Sequence, residues 1–141
     1  MTRINAYLGF NGNCREAMTF YQACLGGELT MQTFGESPMA DQVPAEAKQN
    51  ILHSSLTKGA LVLLGSDMGS MGSEGFVKGN TITLCLDCSS EEEIQTFFTK
   101  LSAGGHITHP LKTEFWGGTF GDLTDKFGMN WMFSYDKNAQ A

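Results

Sequence analysis

The chain writes one helical sentence twice. Between Asn11 and Thr30 stands NGNCREAMTFYQACLGGELT, and between Ser89 and Thr108 stands SSEEEIQTFFTKLSAGGHIT. Ala17, Phe20, Tyr21, Cys24 and Leu25 recur at i, i+3, i+4, i+7 and i+8, one apolar stripe along a helix. Ile94, Phe97, Phe98 and Leu101 draw the same stripe 77 positions later. The starts agree too: Asn13 with Glu16, and Ser90 with Glu93, have the spacing of an N-cap side chain and a back-reaching carboxylate. Both helices stop at a glycine pair, Gly26-Gly27 and Gly104-Gly105, suited to left-handed C-terminal turns. A strand opening follows each pair. Start, stripe, stop and following strand agree together, which makes this a repeat.

The rest of each half reads as extended chain. Ile4 to Phe10 and Asn80 to Asp87 precede the helices with strand-like alternation. Leu29 to Gly35, Asn50 to Leu56 and Ala60 to Leu64 follow the first helix; His106 to Lys112, Gly117 to Thr124 and Asn130 to Tyr135 follow the second. The expected organisation is one α+β domain of two βαβββ units, residues 1–66 and 80–136. The Gly/Ser-rich stretch 67–79 joins them and reads as a mobile connector. One helix covers only one face of a four-stranded sheet. Two units side by side would bury or use the other faces by forming a curved eight-stranded cup, helices outside and a trough inside.

Composition narrows the function. A formal charge of −6 and no basic stripe argue against a nucleic-acid partner. No run of about 18 apolar residues exists to span a membrane, and the N-terminus lacks the apolar segment of a secretory signal. Four cysteines, Cys14, Cys24, Cys85 and Cys88, are too few for a disulfide framework in 141 residues. The expected location is the cytoplasm, with free thiols.

At this point the residues resemble a family. A tandem βαβββ chain with FY-x3-LGG closing its first helix looks like the vicinal oxygen chelate superfamily of glyoxalase I, bleomycin-resistance proteins and extradiol dioxygenases. The fragments YLGFNGNCREAMTFYQACLGG, ILHSSL followed by LLGSD, and FWGGTFGDLTDKFGMNW are similar to its PhnB-like branch. The resemblance covers almost the whole chain and implies a homodimer. Metal-dependent members hold a divalent ion with His, Gln or Glu from the first and last strands of each unit. Carried onto this chain, the last-strand positions fall at Leu63 and Met132, offset by 69 residues. The first-strand positions fall near Thr81 and at Ile4 or Ala6. None is a strong divalent-metal donor, so no metal or other cofactor is expected.

The candidate site residues follow from strand parity. Leu52 and Leu56 are expected under the helix, which turns Ile51, His53 and Ser55 to the trough. His53 there is a general base, a ligand contact or a structural hydrogen-bonding residue. Thr81, Thr83 and Cys85 alternate with apolar Ile82, Leu84 and Leu86 and are expected in the trough. Phe115, Trp116 and Phe120 offer an aromatic wall, while Asp122 and Asp125 read as turn caps. The expected ligand cavity is His53, Ser55, Thr81, Thr83, Phe115, Trp116 and Met132. The direction of Tyr7 stays open because apolar parity and repeat alignment disagree.

Other signals read as bland. Cys85-x-x-Cys88 has one cysteine in a strand and no second pair. His106 and His109 are expected on opposite faces, which excludes a shared metal. Gly72 to Thr81 lacks the G-K-[ST] ending of a phosphate loop. The label of demethylubiquinone methyltransferase, carried by some members of the branch, lacks the Gly-rich turn and βαβα alternation of a doubly wound sheet. The expected function is binding of a small organic molecule without metal, with catalysis possible through His53. The alternatives are a metal-dependent glyoxalase- or dioxygenase-type enzyme with unconventional ligands such as His53 and Glu114, and a drug-sequestering protein.

Overall fold

The computed structural model describes residues 2–67 and 76–137. Residues 68–75 of the expected mobile connector lie outside the described residues. By contacts the chain divides into two units, Met1–Lys78 and Gly79–Ala141.

The first unit is β1 (Ala6–Phe10), α1 (Cys14–Leu25), β2 (Glu28–Thr33), β3 (Ile51–Lys58) and β4 (Leu61–Asp67), with two short 3₁₀ turns between β2 and β3. Its sheet order is β1-β4-β3-β2, with β1 parallel to β4 and the other pairs antiparallel. The second unit is β5 (Leu84–Asp87), α2 (Glu91–Leu101), β6 (His106–Thr113), β7 (Gly118–Thr124) and β8 (Asn130–Asp136). Its order, β5-β8-β7-β6, reproduces the first, again with one parallel pair, β5 with β8. The repeated sequence thus folds as a repeated βαβββ topology.

In each unit the helix buries its stripe on one face of its own sheet. α1 packs against β2, β3 and β4, and α2 against β8. Ala17, Met18, Tyr21, Cys24 and Leu25 are buried on α1, as are Ile94, Phe98 and Leu101 on α2. Leu8, Phe10, Leu56 and Leu63 are buried in the first unit and Leu123, Trp131 and Phe133 in the second, where Phe98 packs edge-on against Phe133. Each such side chain contributes about 1.5–3 kcal/mol relative to exposure.

The helix starts match expectation in place, and at α2 in the Ser90 cap, whereas the cap of α1 differs. At α2, Ser90 accepts from the backbone N–H of Glu93 at 3.0 Å. The Glu93 carboxylate reaches back to the N–H and hydroxyl of Ser89, one residue earlier than a standard capping box. At α1 the Asn13 side chain makes no capping bond. Its place is taken by Asp67 at the end of β4, which accepts from the N–H groups of Gly12 and Cys14. β4 therefore extends one residue into the expected connector.

Gly26, Gly27 and Gly104 have φ of 81°, 99° and 76°, in the left-handed region that favours glycine. Gly27 and Gly105 bring the chain against the neighbouring strand. A Cβ on Gly27 would sit 2.5 Å from the carbonyl oxygen of Thr57, and one on Gly105 would strike that of Thr124.

Candidate functional site

Each sheet leaves one face uncovered by its helix, and the side chains there mix polar groups with apolar ones. In the first unit Tyr7, Leu64, Ser55 and Thr30 form one row across β1, β4, β3 and β2. The Thr30 and Ser55 hydroxyls hydrogen-bond at 3.0 Å. His53 lies on the same face opposite Gln32. The Tyr7 hydroxyl approaches His53 Nδ1 at 3.4 Å, with ring centroids 6.1 Å apart. Tyr7 thus turns to the open face, the repeat-aligned alternative.

Two parity expectations in this unit are corrected. Ile51 is fully buried, while His53 is exposed and Leu52 half-buried. The register slips between Gln32 and Thr33, beside Ile51, so simple alternation ends there. Leu63 pairs with buried Leu56 and packs in the helix layer. The open-face residue of that strand is Leu64, and the repeat partner of Met132 is Leu64 rather than Leu63.

The second unit builds the equivalent row from different chemistry. His109, Asp122, Met132 and Cys85 stand side by side across β6, β7, β8 and β5. His109 Nδ1 and Asp122 Oδ1 are 2.9 Å apart. This pair occupies the place of Thr30 and Ser55 in the first sheet. His106 and His109 prove to share a face: the ladder pairs Ile107 with Leu123 but His109 with Asp122, and this bulge reverses the parity.

One step along β7 on the same face is Phe120. Trp116 packs beside it, with ring centroids 5.5 Å apart at 60°. The Trp116 ring lies over Gly118, where a Cβ would collide with it. Because Gly118, Phe120 and Asp122 alternate along one strand, Trp116 covers the open face beside the His109–Asp122 pair. Of the remaining expected cavity residues, Phe115 is fully exposed. Thr81 and Thr83 are exposed in the chain ahead of β5, which pairs only from Leu84. Ile82, expected under the helix, is 74% exposed for the same reason: no partner strand holds it in the pleat.

The two aspartates read alike in sequence but part company in the structure. Asp125 is buried and accepts from the N–H groups of Phe127 and Met129 and from Trp131 Nε1, so it holds the β7–β8 turn. Asp122 instead faces outward toward His109. Sequence reasoning missed the His109–Asp122 pair because its parity depends on the bulge. The signal available beforehand was Pro110, which fits an edge strand prone to irregular pairing.

The cysteines are all free. Burial pushes the Cys14 thiol up to about 11 and the Cys88 thiol to about 12, and burial with nearby Asp87 raises Cys85 as well. Only Cys85 is exposed. Alkylation of the folded protein at pH 8 should modify Cys85 first and reach the other three only on unfolding, as mass spectrometry will show. Folded-state thiol values above the unfolded one also fix a sign. Stability is retained below about pH 9 and falls as the pH rises toward 11–12, because the unfolded thiols ionise first.

A half-open cavity of about 740 Å³ lies elsewhere in the first unit, lined by Arg15, Met31, Thr33, Gly35, Glu36, Lys48 and Gln49. It contains none of the candidate residues. Three of its polar side chains bond within the chain: Arg15 donates to the carbonyl of Gln49, and Glu36 accepts from the N–H and hydroxyl of Thr33. Those two bonds hold the Glu36 carboxyl below its ordinary value.

A family model described as 3-demethylubiquinone-9 3-methyltransferase matches residues 2–134. The chain belongs to this family. It forms the PhnB-like branch of the vicinal oxygen chelate superfamily. Protein YjdN of Escherichia coli K12 is 34% identical over 140 residues, 95% of each chain. Protein PA1353 from Pseudomonas aeruginosa is 36% identical, with a TM-score of 0.84 over 96% of this chain and 98% of that one. A Bacillus cereus structure described as a putative 3-demethylubiquinone-9 3-methyltransferase, PhnB protein, is 26% identical, with a TM-score of 0.72 over 95% and 99%. The fold alone is shared with a glyoxalase-related enzyme from Fulvimarina pelagi, at a TM-score of 0.63 and 15% identity over 96% and 89%. PhnB-like membership confirms the resemblance read from the repeated helices and the FWGGTFGDLTDKFGMNW segment.

Proposed function

We propose that this PhnB-like protein binds a small organic molecule, without a metal, against the uncovered sheet face. The observation that carries the reading is the Trp116–Phe120 pair lying on that face of the second sheet beside Met132 and the His109–Asp122 pair. Apolar surface flanked by a few hydrogen-bonding groups is what an organic ligand requires.

The metal of the superfamily fits this donor set poorly. At the open-face positions of the last strands stand Leu64, with no donor, and Met132, a soft thioether. Among the described residues no three His, Cys, Asp or Glu side chains gather closely enough to hold an ion. We do not carry methyl transfer over from the family's description. Each sheet has one helix on one face and the order first-last-third-second, which offers no doubly wound crevice. A cytoplasmic homodimer completes the reading. Its supports are the four free thiols and the exposure of Ile4, Val77 and Phe115. Among the described residues no helix is long and apolar enough to cross a membrane.

The test is a ligand screen read by tryptophan fluorescence. Trp131 is buried and bonded to Asp125, so the response should come from Trp116. A ligand should quench saturably and equally with and without chelator, and Gly118→Ala, which displaces the Trp116 ring, should reduce the response severalfold. A broad library without any response overturns the proposal. A stoichiometric divalent ion in protein purified without chelator overturns its metal-free part.

A further inference from the structure

We infer that the half-open cavity of the first unit binds acidic amino acids, with the two carboxylates at Arg15 and Lys48 and the ammonium at Glu36. The site lies on the helix side of the first sheet, apart from the face proposed above, and neither reading depends on the other.

The walls come from three places in the chain. Arg15 stands in the first turn of α1, and Met31 and Thr33 alternate on β2. Glu36 and Lys48 belong to the two ends of the long β2–β3 connection. Met31 pairs with buried Ser54, which puts it on the face of β2 that packs toward α1. The two ends of the connection are joined: the Gly35 N–H donates to the Lys48 carbonyl at 2.9 Å. A Cβ on Gly35 would lie only 3.1 Å from that oxygen. The result is a recess of about 740 Å³ with a fixed backbone, within the size range of small-molecule sites.

The charges in this recess do not neutralise one another. Among the described residues, none of Arg15, Glu36 and Lys48 forms an ion pair. Arg15 gives one guanidinium nitrogen to the Gln49 carbonyl at 3.4 Å, which leaves its other donors open. Lys48 Nζ has no hydrogen-bond partner among the described residues. Glu36 is fixed through one oxygen. Its Oε1 accepts from the N–H and the hydroxyl of Thr33, both at 2.9 Å, and Oε2 is left for a ligand. The Thr33 bonds stabilise the ionised carboxylate, and nearby Arg15 adds to the effect.

Two cations and one anion define the ligand. A monocarboxylate leaves one cation unmatched, and a dicarboxylate without an amine faces the Glu36 charge. An α-amino acid with an acidic side chain answers all three. The planar donors of Arg15 suit a carboxylate, and Met31 offers the ligand's methylenes an apolar contact.

The experiment labels the methionine methyls of the full chain with 13C and follows Met31 by NMR. Titrations with L-glutamate, glutarate and L-glutamine are run at constant ionic strength. L-Glutamate should shift the Met31 methyl saturably and leave that of Met132, on the second sheet, in place. Glutarate lacks the ammonium and L-glutamine the second carboxylate, so each should bind about threefold more weakly, the scale of an exposed ion pair. Glu36→Gln keeps a carbonyl oxygen for the Thr33 bonds and loses the charge, so it should erase the preference over glutarate. Lys48→Met keeps the apolar stem and should erase the preference over L-glutamine. Unchanged methyl signals elsewhere will show that both variants fold. No shift of Met31 with L-glutamate overturns the inference, as does a response at Met132 alone. Equal affinity for L-glutamate and either analogue overturns it too. A variant that keeps the preference it should lose assigns that charge to another residue, with the same consequence. The fluorescence screen at Trp116 is independent of these outcomes, so the two proposals fail separately.

Discussion

Replacing Asp67 with alanine should destabilise the protein by about 4 kcal/mol, measured as a lowered urea midpoint. Asp67 is 1% exposed and accepts three backbone hydrogen bonds: from Gly12 and Cys14 on Oδ1, and from Ile51 on Oδ2. One carboxylate thereby ties the start of α1, the start of β3 and the end of β4. Bonds to an ionised acceptor contribute about 1.5–3 kcal/mol each, and alanine leaves the buried N–H groups of Cys14 and Ile51 without a partner, while that of Gly12 lies within reach of water. Asp67→Asn keeps the Oδ1 bonds but presents an amide hydrogen to the Ile51 N–H, so it should lose about half as much. An alanine variant within about 1 kcal/mol of the parent would show that water substitutes for the carboxylate.

The second large effect is expected at Gly27. An alanine there must adopt φ near 99°, and its Cβ would sit 2.5 Å from the Thr57 carbonyl oxygen. The obstacle is strand backbone rather than a side chain that can swing away, so β2 and β3 must separate locally. We expect a loss of about 3 kcal/mol or more. Gly59→Ala is the control, because Gly59 is also left-handed at φ 59° but has no atom within 4 Å of the new Cβ. It should cost only the strain of the left-handed backbone, about 1 kcal/mol. Similar losses in both variants would mean that dihedral strain, not the close approach of strands, accounts for the glycine pair.

Much of this was legible from spacing. Helix stripes, glycine stops and strand alternation repeat with a period the backbone itself imposes, so they announce two βαβββ units before any contact is known. The resemblance of the FWGGTFGDLTDKFGMNW segment then led to the family. His53 and Ser55 stand on the uncovered face of their strand, and the Trp116 ring lies over Gly118 in the second sheet. Thr81, Thr83 and Ile82 did not behave as strand residues, because their pleat required a partner that β8 supplies only from Trp131 onward.

What residue order alone determined is the doubled unit, because hydrophobic period and helix stops are local properties of the chain. What only the tertiary structure decided is which polar groups meet. Asp67 caps a helix that begins 53 residues earlier, and His109 meets Asp122 because a bulge reverses one strand's parity. Hydrogen bonds between strands depend on register, and register is set by packing across the sheet rather than by neighbours in sequence.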